Sequence, residues 1–213
     1  MPEKITKREK RRIEKQKKMQ KIKKIVICVL IVCIVVSISI YAYMTKPETK
    51  TEKHNRTVTI ETNKGTIKIK LYEDKAPITT ANFIKYVNDS FYNGTIFHRV
   101  IDDFMIQGGG FYPDLTEKTP TYSPINLEIK PELKHVDGAV AMARTPDPNS
   151  ATSQFYICDG PQHSLDENYA VFGQVIEGMD IVRNIASVQT HTENGMENVP
   201  VVDVIIIGVT ISE

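Results

Sequence analysis

Residues 25–44, IVICVLIVCIVVSISIYAYM, are twenty consecutive residues without a charge or a proline. At about 1.5 Å per helical residue, a helix of this length spans the roughly 30 Å hydrocarbon core of a bilayer. A helix packed inside a globular core would carry a polar stripe, whereas Ser37 and Ser39 are the clearly polar side chains here. A cleaved leader has a shorter apolar region and a small-residue exit. This run leaves instead through YAYMTK, where Tyr41 and Tyr43 suit the membrane interface. The run predicts an uncleaved transmembrane helix over 25–44.

That segment divides the charge of the chain. The formal net charge of +1 hides a balance of +9 over residues 1–44 (12 Lys+Arg against 3 Asp+Glu) and of −8 over the remainder (15 against 23). The basic tail, 1–24, stays cytoplasmic by the positive-inside rule and is attracted to anionic lipid. Everything beyond Met44 then lies outside, so the expected location is the cell membrane, single-pass, with membrane lipid as the partner of the anchor. A basic run can also bind nucleic acid, but its adjacency to the apolar span leaves no nucleic-acid role to be assigned. Cys28 and Cys33 fall in the span, which leaves Cys158 alone in the outer part. Without a second thiol that part depends on its core rather than on a disulfide.

Residues 45–56, TKPETKTEKHNR, are polar and aperiodic and read as a tether. The globular domain is expected over 57–213. TVTIETNKGTIKIKLY alternates at period two on both sides of Asn63-Lys64-Gly65, a hairpin pattern. A helix follows, with Pro77 in its first turn and Asn93-Gly94 closing it. Strands are expected at 95–100, 104–107, 138–143, 154–158 and 170–175, a helix in EGMDIVRNIASV, and a last strand in VVDVIIIGVTIS. Many short strands with two well-separated helices do not alternate as βαβ units. The fold class is mainly β, a closed antiparallel barrel capped by two α-helices, preceded by the N-terminal transmembrane helix.

Common catalytic templates are absent. QGGGF lacks the spacing and the following helix of a phosphate cradle, so Gly108, Gly109 and Gly110 are expected to turn and pack the chain closely. The five histidines lack metal-ligand spacing, and HSLDE lacks the assembly of a hydrolase triad. What remains is FHRVIDDFMIQGGG, GAVAMARTPDPNSATSQFYI and SLDENYAVFG. Strict alternation places Phe97 and Arg99 on one face with His98 and Val100 on the other, and pairs Phe104 with Ile106 and Met105 with Gln107.

Taken together, FHRVIDDFMIQGGG, SQFYI and VFGQVIEGMDIV resemble the cyclophilin family of peptidyl-prolyl cis-trans isomerases, in order from about Thr57 to Ser212. The resemblance implies an eight-stranded antiparallel barrel closed by two helices, a monomeric catalytic domain, proline-containing polypeptide clients and no cofactor or metal. By motif position it implies that Arg99 is the catalytic arginine, with Gln107 orienting it and hydrogen-bonding the substrate. Phe104, Met105 and Leu165 would form the proline slot over an aromatic floor from Tyr156. Ala143, Arg144, Gln154 and Tyr169 complete the substrate-binding set, and His98 is a supporting residue.

Three departures bear on peptide choice. The chain has no Trp, and Ser164 stands where many eukaryotic members carry an indole; cyclosporin binding should be weakened. Arg144 replaces a common Asn and Tyr169 a common His, as in bacterial relatives. The expected activity is isomerisation of X-Pro bonds in exported or surface proteins. The alternative is a holdase or peptide-binding module that uses the same groove without catalysis.

Overall fold

The computed structural model describes residues 56–212, with Met19, Lys21 and Val36 as isolated positions upstream. The expected tail, membrane helix and most of the tether therefore lie outside the described residues. Among those that are described, no helix is long and apolar enough to cross a membrane.

Over residues 56–212, ten strands and two helices follow in chain order: β1 (Thr57–Thr62), β2 (Gly65–Leu71), α1 (Pro77–Asn88), β3 (Phe97–Ile101), β4 (Met105–Gly108), β5 (Ala139–Met142), β6 (Phe155–Cys158), β7 (Val171–Glu177), α2 (Met179–Ala186), β8 (Thr190–Glu193), β9 (Met196–Pro200) and β10 (Ile206–Ser212). The first hairpin forms as its alternation predicts. Thr62 pairs with Gly65 around Asn63-Lys64, and Val58, Ile60, Ile67, Ile69 and Leu71 are fully buried. Pro77 opens α1, where its missing N–H leaves no helical bond unmade. The helix stops at Asn88, before the expected Asn93-Gly94. The amides of Asp89 and Ser90 turn back to the carbonyls of Lys85 and Val87, and Ser90 takes a φ of 53°.

Eight strands make one antiparallel sheet in the order β10-β1-β2-β7-β5-β6-β4-β3. The expected closed barrel is not formed: the sheet curls into a half-barrel with β10 and β3 as its edges. The edges meet at an isolated bridge, Ile96 to Ile205, and at a few backbone hydrogen bonds around it, from Phe97 N–H to Val204 O, Ile206 N–H to Thr95 O and Gly94 N–H to Ile206 O, rather than along a full ladder. Strand β3 is short, and the separate β8–β9 hairpin packs against it. That hairpin was not expected, although Asn194-Gly195 at its tip, with φ of 49° and 81°, is a strong two-residue turn signal.

The hollow of the sheet is filled by aromatic rings. Phe155 packs edge-on to Phe83 of α1 at 5.4 Å, to Tyr92 at 5.4 Å and to Phe97 at 6.0 Å, and Phe172 lies 5.0 Å from Phe83. Such offset and edge-to-face pairs are each worth about 0.5–1.5 kcal/mol beyond the area they bury. They tie α1 to β3, β6 and β7 across the hollow, while β3, β4 and β6 lie side by side through their ladders and carry a groove on their opposite face.

Candidate active site

Cross-strand partners point to the same side of a sheet, so register assigns each residue a face. One row runs Met142, Phe155, Gly108, Phe97 across β5, β6, β4 and β3, and faces the aromatic core. The next runs Ala141, Tyr156, Gln107, Arg99 and faces outward; Cys158, Met105 and Ile101 follow on that same outer face. Between Phe97 and Arg99 the register slips by one residue, and His98 is the extra one. The slip corrects the strict alternation expected for FHRV: Phe97 enters the core while Arg99, two residues on, points outward. It also sets His98 beside Arg99 rather than away from it, since both line one cavity. Phe104 likewise escapes alternation. It ends a turn from Ile101 in which Asp103 has a φ of 54°, and it joins Met105 on the outer face while Ile106 is buried.

Nine of the residues expected at the site line one groove of about 300 Å³: Arg99, Phe104, Met105, Gln107, Ala143, Arg144, Tyr156, Leu165 and Tyr169. The Arg99 guanidinium reaches 3.9 Å from the Met105 sulfur and 5.9 Å from the centre of the Phe104 ring. It makes no ion pair with a carboxylate among the described residues, so its planar donors remain available to a ligand. Gln107 is held by Gln154, its Nε2 donating to Oε1 at 3.0 Å, rather than by Arg99. Gln154 thus stands behind the groove as the support of Gln107. The three glycines explain how it fits there. A Cβ on Gly110 would stand 2.5 Å from Gln154 Cγ, and Gly109 has a φ of 83°, which a side chain disfavours.

The floor is anchored from beneath. Tyr156 Oη lies 2.9 Å from Nε2 of the fully buried His135, whose Nδ1 lies 3.0 Å from Asp166 Oδ1. The His135 amide also donates to Asp166 Oδ1 at 2.7 Å, and His163 and Lys134 approach the other carboxylate oxygen at 3.2 and 3.7 Å. Burial alone would raise the Asp166 carboxyl, but these bonds and charges outweigh it and bring the pKa down to about 2. Burial lowers His135, with Asp166 opposing, and raises the Tyr156 phenol far above its ordinary value. Tyr156 is therefore a neutral surface over the working range, not an acid. Asp166 follows Leu165 directly, so one carboxylate ties down both the floor and the short 3-10 turn His163–Leu165 that forms the far wall. Sequence reading passed over His135 and Asp166, which lie thirty-one positions apart and meet only through the fold.

The rim is built by Arg144. Its Nε donates to Asn168 O at 2.9 Å, its Nη1 to Thr145 O at 2.8 Å, and its guanidinium lies 4.8 Å over the Tyr169 ring. The cation is spent on shaping the loop and stacking on the aromatic face. His98 does not line the groove. It is 5% exposed and packs on Phe111 at 4.5 Å. Burial and then the Arg99 charge lower its pKa to about 4, so near neutral pH it is an uncharged wall beside Arg99.

The family model for "Cyclophilin type peptidyl-prolyl cis-trans isomerase/CLD" matches residues 57–211. The chain belongs to the cyclophilin family. It is 51% identical over 162 residues to a peptidyl-prolyl cis-trans isomerase of Acinetobacter baylyi, covering 74% of this chain and 86% of that one. It is 47% identical over 164 residues to peptidyl-prolyl cis-trans isomerase B of Escherichia coli, covering 73% and 99%. Among solved structures, a cyclophilin type isomerase of Cryptosporidium parvum, determined in the presence of the dipeptide Ala-Pro, matches with a TM-score of 0.66 at 30% identity, over 74% of this chain and 99% of that one. This cyclophilin is thus a peptidyl-prolyl cis-trans isomerase with a mainly β fold and two helices. Its outer groove combines an apolar recess, a permanent cation at its edge and an oriented amide beside it.

Proposed function

We propose that the groove takes the proline ring of an X-Pro segment between Phe104, Met105 and Leu165, above Tyr156, and that Arg99 is the catalytic group. Amide resonance sets a barrier of about 18–20 kcal/mol, and the uncatalysed exchange takes tens to hundreds of seconds. Twisting the bond removes resonance and localises a lone pair on the prolyl nitrogen. Arg99 donates to that nitrogen or to the adjoining carbonyl oxygen, stabilising charge that is absent in the planar ground state. Gln107, oriented by Gln154, bonds the substrate backbone; Ala143, Arg144 and Tyr169 border the chain on either side of the ring. No bond breaks, so no nucleophile is required.

The observation that carries this reading is the position of Arg99: uncommitted to any carboxylate among the described residues, beside an apolar recess lined by Phe104 and Met105. The clients we assign are exported or surface polypeptides, because residues 25–44 are long and apolar enough to anchor the chain in a cell membrane behind a basic cytoplasmic tail. Departure at Ser164 is taken to weaken cyclosporin without removing catalysis. Two measurements test the reading. Isomerisation of a short X-Pro peptide should be lost in Arg99→Ala; parental speed in that variant overturns the mechanism, and lost isomerisation with intact protection of an aggregating client favours the holdase. Protease added to intact or wall-stripped cells should remove the cyclophilin domain and spare the tail; full protection of an accessible preparation overturns the topology.

A further inference from the structure

A second cavity, of about 420 Å³, adjoins the groove and is lined by His98, Arg99, Phe111, Gln154, Met196 and Glu197. Arg99 belongs to both cavities, and the Gln107–Gln154 hydrogen bond runs from one to the other. A chain whose proline lies against Arg99 therefore has the second cavity within reach of a neighbouring side chain. Its walls are divided by chemistry. Phe111 and Met196 are apolar and the His98 ring is uncharged near neutral pH, whereas Glu197 on β9 is an exposed carboxylate with no ion pair among the described residues. The Arg99 guanidinium touches Met105 and Phe104 on the groove side while its charge is also felt by His98, and Glu197 is the carboxylate that lines this cavity opposite that cation.

Resting on the isomerase reading above, we infer that the second cavity is a specificity subsite for a basic client residue within two positions of the proline. The aliphatic stem of a Lys or Arg would lie along Met196 and Phe111, and its cationic head would meet Glu197. Long basic side chains are suited to such a site because they combine an apolar stem with a charged tip. The β8–β9 hairpin, which contributes nothing to the proline groove itself, thereby selects among clients.

The test uses the full-length chain with X-Pro peptides carrying Lys or Glu at each of the two positions on either side of the proline. The quantity read is the Lys-to-Glu ratio of kcat/KM at each position. At one position the parent should prefer Lys by about five-fold at low salt, the size of an exposed charge pair, and the ratio should shrink near 0.5 M salt, where the screening length is only about 4–5 Å. Glu197→Gln should bring the ratio close to one and Glu197→Lys should invert it. Glu193→Gln, on the same hairpin and paired with His191, should keep the parental ratio. A ratio insensitive to Glu197 at every position, or one that Glu193→Gln changes as much, overturns the subsite and leaves the isomerase reading standing. If the parent turns over no peptide at all, the isomerase reading fails and the subsite fails with it.

Discussion

The two faces of β3, β4 and β6 are made by neighbouring residues yet do opposite work. Phe97, Ile106 and Phe155 face inward and are fully buried, while Arg99, Gln107 and Tyr156 face outward along the next row of the same ladder. Inward residues are held by ring packing, which is non-directional and tolerates little loss of volume. Outward residues are held by directed bonds, Gln107 to Gln154 and Tyr156 to His135, that leave chemical groups presented to a ligand. Stability should therefore reside on one face and activity on the other.

Four changes break or sharpen that division. Phe155→Ala, at the centre of the aromatic cluster, should cost about 3–5 kcal/mol of stability by leaving a cavity, read as a drop in the urea midpoint, with parental turnover in molecules that remain folded. Arg99→Ala should lower kcat/KM about 10²–10³-fold, the loss of one aimed donor, with a urea midpoint like the parent's; a large loss of stability instead would mean that Arg99 belongs to the fold.

The third change is pH. His98 has a folded pKa of about 4 against a reference of 6.5, so between those values the unfolded chain binds more protons. Stability should be level above pH 6.5 and fall by up to about 3 kcal/mol on acidification to pH 4. The buried His135, also lowered, adds to the slope in the same direction. Asp166, at about 2 against 3.8, contributes stability that is present above pH 3.8 and lost as pH falls toward 2. His98→Gln should reduce the first slope and keep the second, as measured by urea titrations across pH. Smallest is Tyr156→Phe, which strands a buried ring nitrogen of His135 and should cost about 1–3 kcal/mol, while kcat/KM stays within a few-fold because the aromatic floor survives.

The elements that were readable in the chain are those built from local signals. The 57–71 hairpin follows from alternation around Asn63-Lys64-Gly65, and α1 follows from Pro77 ahead of a helical apolar pattern. The groove residues were readable because they lie in compact motifs that resemble a known family, and the fold brings nine of them together. Other features depended on partners far along the chain. The slip at His98 is visible only against β4, and the His135–Asp166–Tyr156 chain joins residues from three separate segments. The sheet's edges, β3 and β10, and the packing of the β8–β9 hairpin against β3 likewise involve segments far apart in the chain.

By itself, the sequence determined that the region from residue 57 onward is a mainly β domain with two helices and that an Arg, a Gln and a set of apolar residues travel together, because periodicity and motif order are local properties. The tertiary structure decided which way Arg99 points, what supports Gln107 and Tyr156, and that Glu197 borders a cavity shared with Arg99. A side chain's face is set by cross-strand register, and one extra residue reverses it. No spacing along a single strand carries that information.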